Sequence, residues 1–316
     1  MIPDELRRKL EEINRGPLRT GVVRTSESRR PDSIGTEGAG GPVRLEDLIA
    51  GETVGTPERP FFLIERDLGE LFARAEELTG EFRDVWVKGR HSISEEEAAQ
   101  GWREIVETDP TRLLFLDIET LGLTATPVFL VGMMSLEGDA GGKGAGPLKH
   151  VGTKGAARKK DLTPFSPRFR IRQLFARDYS EEPHVLAHFA KTLREDHILV
   201  TYNGKSFDWP YLCDRAVYHS VSLVQRAGHL DLLKEARRRW RSVLPNCQLQ
   251  TLEYHVSGRR RVGDLPGCMI PDAYHRYVKT GDARPMLDVI HHNALDLVTM
   301  AELMLFILQG GDLTWE

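Results

Sequence analysis

The stretch Arg112-Leu113-Leu114-Phe115-Leu116-Asp117-Ile118-Glu119-Thr120-Leu121 decides how the rest of this chain is read. A continuous apolar run leads into two acids one residue apart. Successive side chains of a strand alternate between faces, so Asp117 and Glu119 emerge on the same side. Two like charges held together repel, and the usual remedy is a hard cation with oxygen ligands between them. The same pair also suits a strand end emerging into solvent. The remainder of the chain has to choose between these readings.

With 316 residues, the chain is long enough for one large domain with an extension, or for two modest domains, and can bury a proper core. A net charge of −4 argues against a uniformly basic coat and leaves room for a local basic groove. Cys213, Cys247 and Cys268 are scattered, without the spacing of a zinc site or a disulfide framework. That usage fits a reducing, cytoplasmic setting. The N-terminus Met1-Ile2-Pro3-Asp4-Glu5 lacks the pattern of a signal peptide, and the longest apolar helix, near Leu297 to Leu308, is short and carries Glu302. No membrane span is expected.

Residues 1–42 read as a charged helix, Asp4 to Ile13, followed by a flexible linker from Gly16 to Gly41. Residues 43–105 form a small N-terminal segment, with a strand at Phe61-Phe62-Leu63-Ile64 and helical patterning around Leu71-Phe72-Ala73-Arg74. The main domain spans 106–310. Its first strand, Arg112 to Ile118, is followed by a turn at Gly122 and a second strand over Val128 to Met134, which suggests a hairpin. A stretch rich in Gly and Lys, from Gly138 to Arg168, looks like an enlarged hairpin tip leading to a third strand near Phe169 to Phe175. Its Lys143, Lys149, Lys154, Arg158, Lys159 and Lys160 are either phosphate contacts or a solvated loop.

Beyond that tip come a helix over Pro183 to Leu193, a strand over His197 to Tyr202 and a helix beginning near Asp208. A strand step at Gly228 to Leu230 leads into a helix from Leu232 to Trp240. A long amphipathic helix starts near Pro285 and stops at Gly310-Gly311. The pattern is α/β: a hairpin sheet extended by a β-α-β element.

Two further acids stand out. Asp208, in Asn203-Gly204-Lys205-Ser206-Phe207-Asp208, follows a buried strand and could reach a cation held by the first strand. It also suits a helix N-cap. Asp296, in His291-His292-Asn293-Ala294-Leu295-Asp296, interrupts a largely apolar helix, and buried acids need partners. A neutral core histidine bonded to Asp accounts for one of the two histidines and not for both.

The ordered set D-x-E, N-x-x-x-F-D and a histidine before the last acid resembles the DEDD superfamily of 3′–5′ exonucleases. Within it, the run Cys247-Gln248-Leu249-Gln250-Thr251-Leu252-Glu253, then Arg261-Val262-Gly263-Asp264-Leu265-Pro266-Gly267, Ile270-Pro271 and His292-Asn293 to Asp296 is similar to the YprB-like branch. The resemblance covers about residues 110 to 309 and is specific, because several spaced motifs recur in order; Val43-Arg44-Leu45-Glu46-Asp47-Leu48 resembles that branch's N-terminal extension more weakly. The fold implied is ribonuclease H-like: a mixed five-stranded sheet with flanking helices, plus the small N-terminal extension.

The resemblance implies phosphodiester hydrolysis at single-stranded DNA or RNA 3′ ends. Asp117, Glu119, Asp208 and Asp296 would hold two Mg²⁺ or Mn²⁺ ions about 4 Å apart, one activating water and the other stabilising the leaving oxygen. A histidine would be the general base. The superfamily divides between histidine five residues before the last acid and tyrosine four before it; here His291 has the first place and His292 the second. On a continuous helix His292 lies about 40° from Asp296 and His291 about 140°, which favours His292. Thr120, Leu121 and Asn203 match positions that contact substrate in relatives. Asp231 matches a recurrent acid and is equally a helix N-cap. Arg237-Arg238-Arg239-Trp240-Arg241 and Arg259-Arg260-Arg261 are phosphate contacts with a stacking aromatic, or solvated helix faces. The rival readings are a catalytically inert nucleic-acid-binding module on the same fold and a ribonuclease H-like endonuclease.

Overall fold

The computed structural model describes residues 41–95, 101–138, 167–224, 227–261 and 263–313. The expected charged helix, most of the linker and the basic residues between Lys143 and Lys160 lie outside the described residues.

Strands β1 (Glu52–Thr56), β2 (Arg59–Asp67), β3 (Leu113–Thr120), β4 (Val128–Glu137), β5 (Arg168–Phe175), β6 (Ile198–Thr201) and β7 (Gly228–Asp231) form one sheet in the order β1-β2-β5-β4-β3-β6-β7. The β3-β4-β5 meander is antiparallel, whereas β6 runs parallel to β3 and β7 parallel to β6. The five strands from β3 onward are those expected from sequence. The N-terminal segment does more than pack against them, because β2 pairs with β5 over six residues and brings β1 with it. The sheet therefore has seven strands.

The helices are α1 (Leu68–Leu71), α2 (Ala75–Trp86), α3 (Trp102–Glu107), α4 (Glu182–Thr192), α5 (Asp208–Tyr218), α6 (Leu232–Trp240), α7 (Leu249–Ser257), α8 (Ile270–Thr280) and α9 (Arg284–Leu308). The helical patterning expected around Leu71 to Arg74 is interrupted, since Phe72 is extended (φ −127°, ψ 117°) to bury its ring between α1 and α2.

Alternation along β3 places Leu113 and Phe115 in one core and Leu114, Leu116 and Ile118 in the other. The first core is closed by α2, α6 and the second half of α9, with Phe82, Phe115 and Phe169 meeting edge to face. The second is closed by α4, α5, α8 and the start of α9. Behind the sheet, buried Glu182 of α4 accepts bonds from Val128 N (2.9 Å) and Arg215 Nε (2.7 Å), fixing α5 relative to β4. Asp117 and Glu119 continue the first-core face beyond Phe115, where α9 crosses it.

Candidate active site

At the end of β3 the ladder to β4 slips between Glu119 and Thr120. Such bulges re-aim a strand end, here turning the chain out of the sheet just after the second acid. The Thr120 hydroxyl donates to Gly122 O (2.7 Å), and Leu121 N donates to Pro127 O (3.2 Å). Tyr211 of α5 pins the same loop, its hydroxyl donating to Thr126 O (2.8 Å) and accepting from Thr126 N (3.1 Å).

Asp208 opens α5 and is 5% exposed. Its carboxylate is not the side-chain cap of that helix; Oδ1 accepts from Ile118 N (3.2 Å), locking the start of α5 between the two acids of β3. Asn203, exposed and left-handed (φ 67°), turns the chain between β6 and α5. Asp231 holds that turn by accepting from Asn203 N (2.9 Å) and Lys205 N (3.0 Å), and it also caps α6 through Leu233 N (3.1 Å). The cap expected of Asp231 thus has a second use in shaping the turn that leads to Asp208.

On α9, His292 lies against Asp296, with Nε2 3.5 Å from Oδ2, and its Nδ1 faces Asp264 at 2.8 Å. His291 is partly buried and hydrogen-bonds to neither acid. Asn293 donates to Asp117 Oδ2 at 2.8 Å. Arg261, with a side chain 2% exposed, joins Glu253 Oε2 (2.6 Å), Asp264 Oδ2 (3.3 Å) and Asp296 Oδ1 (2.5 Å). Gln250 of α7 completes the set by donating to Asp264 Oδ2 (3.1 Å).

The electrostatics follow from this crowding. Burial, then repulsion from Asp296, Glu119 and Asp208, pushes the Asp117 carboxyl well above the ordinary range; burial with Asp296, Asp208 and Asp264 does the same to Glu119. Asp208 is raised to about 7, chiefly by burial, against hydrogen bonds from its own N–H and that of Ile118. Burial lowers His292, but Asp296 and Asp264 outweigh it and hold the ring above its usual value. His291 goes the other way, lowered by burial.

Asp117, Glu119, Asp208 and Asp296 thus feel one another's charge across one site, with oxygen donors only. That donor set and its uncompensated repulsion fit a hard divalent cation. Among the described residues, no three acid, imidazole or thiol side chains are gathered tightly enough to hold an ion. Two of the four are engaged elsewhere, Asp296 with Arg261 and Asp208 with the backbone of β3.

Comparisons with known proteins agree with this architecture. A family model described as RNase_H superfamily matches residues 149–307, half of the chain, including Asp208, His292 and Asp296 and beginning after β3. The "Uncharacterized protein YprB" of Bacillus subtilis (strain 168) is 36% identical over 107 residues, covering 33% of this chain and 26% of that protein. The DNA polymerase epsilon catalytic chain of Dictyostelium discoideum is 40% identical over 50 residues, 15% of this chain and 2% of that one. The matched segments therefore span far less than two thirds of either relative. The chain belongs to the ribonuclease H superfamily, as a YprB-like member.

Two expectations about substrate contacts need correction. Trp240 is wholly buried and donates to Asp312 Oδ1 (3.0 Å), so its ring cannot stack on a base. Arg259 and Arg261 are spent on internal ion pairs: Arg259 bonds Glu253 and reaches Glu302 Oε2 (2.5 Å), while Arg261 serves the acids already named. Sequence reasoning also missed Gln173, Gln250, Glu253, Arg261, Asp264 and Asn293 as parts of the site. All but Gln173 stand in the motifs that carry the family resemblance, and that recurrence was the available signal.

Proposed function

We propose that the chain is a metal-dependent 3′–5′ exonuclease that hydrolyses phosphodiester bonds at single-stranded DNA or RNA ends. The observation that carries this reading is the convergence of Asp117, Glu119, Asp208 and Asp296, from a strand and two helices, beside an imidazole that faces the last acid. In this reading the four carboxylates hold Mg²⁺ or Mn²⁺, which supplies an activated water and charge stabilisation for the leaving 3′-oxygen when bound.

His292 is the general base. Asp264 accepts its Nδ1–H, which fixes the ring and leaves Nε2 bare toward Asp296, where it can take the proton of an attacking water. The geometry supports His292 over His291, because only His292 reaches these acids. Asp264 supplies the orienting partner that a histidine base needs. Thr120, Leu121 and Asn203 flank the acids on the two loops that leave β3 and β6 and would receive the terminal nucleotide. Among the described residues no helix is long and apolar enough to cross a membrane. A cytoplasmic setting and a catalytic unit spanning 106–310 complete the proposal.

A 5′-labelled single strand incubated with Mn²⁺ tests it. The expected product is a ladder shortening stepwise from the 3′ end, absent with Asp117→Asn. Internal cuts would instead indicate an endonuclease, and binding without cleavage an inert module.

A further inference from the structure

We infer that Asn293 is a positioning residue that fixes the Asp117 carboxylate, oriented by a buried line of amides that begins at Arg66 in the N-terminal segment. The inference rests on the reading of Asp117 as a metal ligand. Asp117, Gly132 and Gln173 are register partners in a row across β3, β4 and β5, and Ile64 of β2 lies opposite Gln173. Arg66 sits two residues further along β2. Gln173 and Asn293 are both 0% exposed, so each end of each amide needs a partner.

The partners impose a direction. A guanidinium only donates, and Arg66 Nη2 donates to Gln173 Oε1 at 2.8 Å. Gln173 must then turn its amide nitrogen the other way, and Nε2 donates to Ile290 O (2.7 Å) and Asn293 Oδ1 (2.8 Å). The Ile290 carbonyl only accepts, which fixes the same orientation a second time. With its oxygen taken, Asn293 presents its NH₂ group to Asp117, donating to Oδ2 (2.8 Å) and to the backbone oxygen (3.3 Å). One carboxylate oxygen of Asp117 is thereby tethered, leaving Oδ1 for a cation.

Gly132 makes the approach possible. A Cβ at that position would lie 2.0 Å from Asn293 Oδ1, so the carboxamide occupies the space a side chain would fill. The N-terminal segment thus supplies the first donor of a line that ends on the active-site acid.

The test is calorimetric titration of the full chain with Mn²⁺ for wild type, Asn293→Ala, Gly132→Ala and the double variant, with thermal unfolding in chelator as the control for folding. If Asn293 acts through Asp117, Asn293→Ala weakens Mn²⁺ binding by about tenfold or more while the protein stays folded. Gly132→Ala, which displaces the carboxamide, gives a similar loss. The double variant is no weaker than Asn293→Ala, and part of the unfolding temperature lost in Gly132→Ala returns. Wild-type affinity in Asn293→Ala, or losses that add in the double variant, would overturn the positioning role alone. A wild type that takes up no Mn²⁺ would overturn the metal-site reading and this inference with it.

Discussion

Replacing Asp208 by Asn is expected to stabilise the metal-free protein while abolishing its activity. The Asp208 carboxyl is 5% exposed and raised from 3.8 to about 7. A raised carboxyl binds its proton more tightly in the folded chain than in the unfolded one. The ionisation cost therefore appears as pH climbs past the unfolded value and is complete only above the folded one. A shift of about three units corresponds to about 4 kcal/mol once the group is fully charged. Asn retains the oxygen that accepts from Ile118 N (3.2 Å), so the substitution removes the charge and keeps the bond.

Urea unfolding followed by tryptophan fluorescence can read this difference, since Trp102 and Trp240 are fully buried. In chelator near pH 8, Asp208→Asn should exceed wild type by about 2 to 4 kcal/mol; near pH 4.5 the gap should shrink to about 1 kcal/mol. Added Mn²⁺ should restore wild type, by about 3 kcal/mol at a hundredfold excess over its dissociation constant, and do little for the variant. A variant less stable than wild type in chelator, or a gap that ignores pH, would refute the account of crowded acids.

Other outcomes follow from the same geometry. His197 is 5% exposed, its Nδ1 accepts from Arg194 N (3.1 Å), and burial holds it down at about 4. Its contribution to stability is complete above the unfolded value of about 6.5 and is lost as pH falls toward 4, about 3 kcal/mol in all; His197→Leu should remove that part of the acid transition. Arg261→Leu leaves Glu253, Asp264 and Asp296 without their shared cation and should cost about 3 to 5 kcal/mol in denaturant unfolding, with Arg261→Lys recovering only part because it cannot span all three. His292→Ala should lower the cleavage rate about a hundredfold or more, whereas His291→Ala should leave it within a few-fold; equal mild losses would count against the general base.

Much of the fold was legible because burial writes itself into local sequence. The apolar run ending in Asp117 and Glu119, the helix from Leu232 to Trp240 and the long helix stopped by Gly310 were each marked by periodicity and punctuation within one window. The β1 strand, Glu52 to Thr56, was not, since it is an exposed edge with little apolar alternation and its place depends on pairing with β2. The arginines at 259 and 261 looked like a solvent-facing charge run because their partners, Glu253, Asp264, Asp296 and Glu302, arrive from separate segments. Gln173 carried no local signal, as its meaning lies in β-sheet register and in the approach of α9.

Matched linear and circular single strands of one sequence, incubated with the protein and Mn²⁺, separate end-directed from internal hydrolysis most directly. The account requires that the linear strand be consumed to mononucleotides from its 3′ end while the circle persists. Opening of the circle, or survival of both strands, would contradict it.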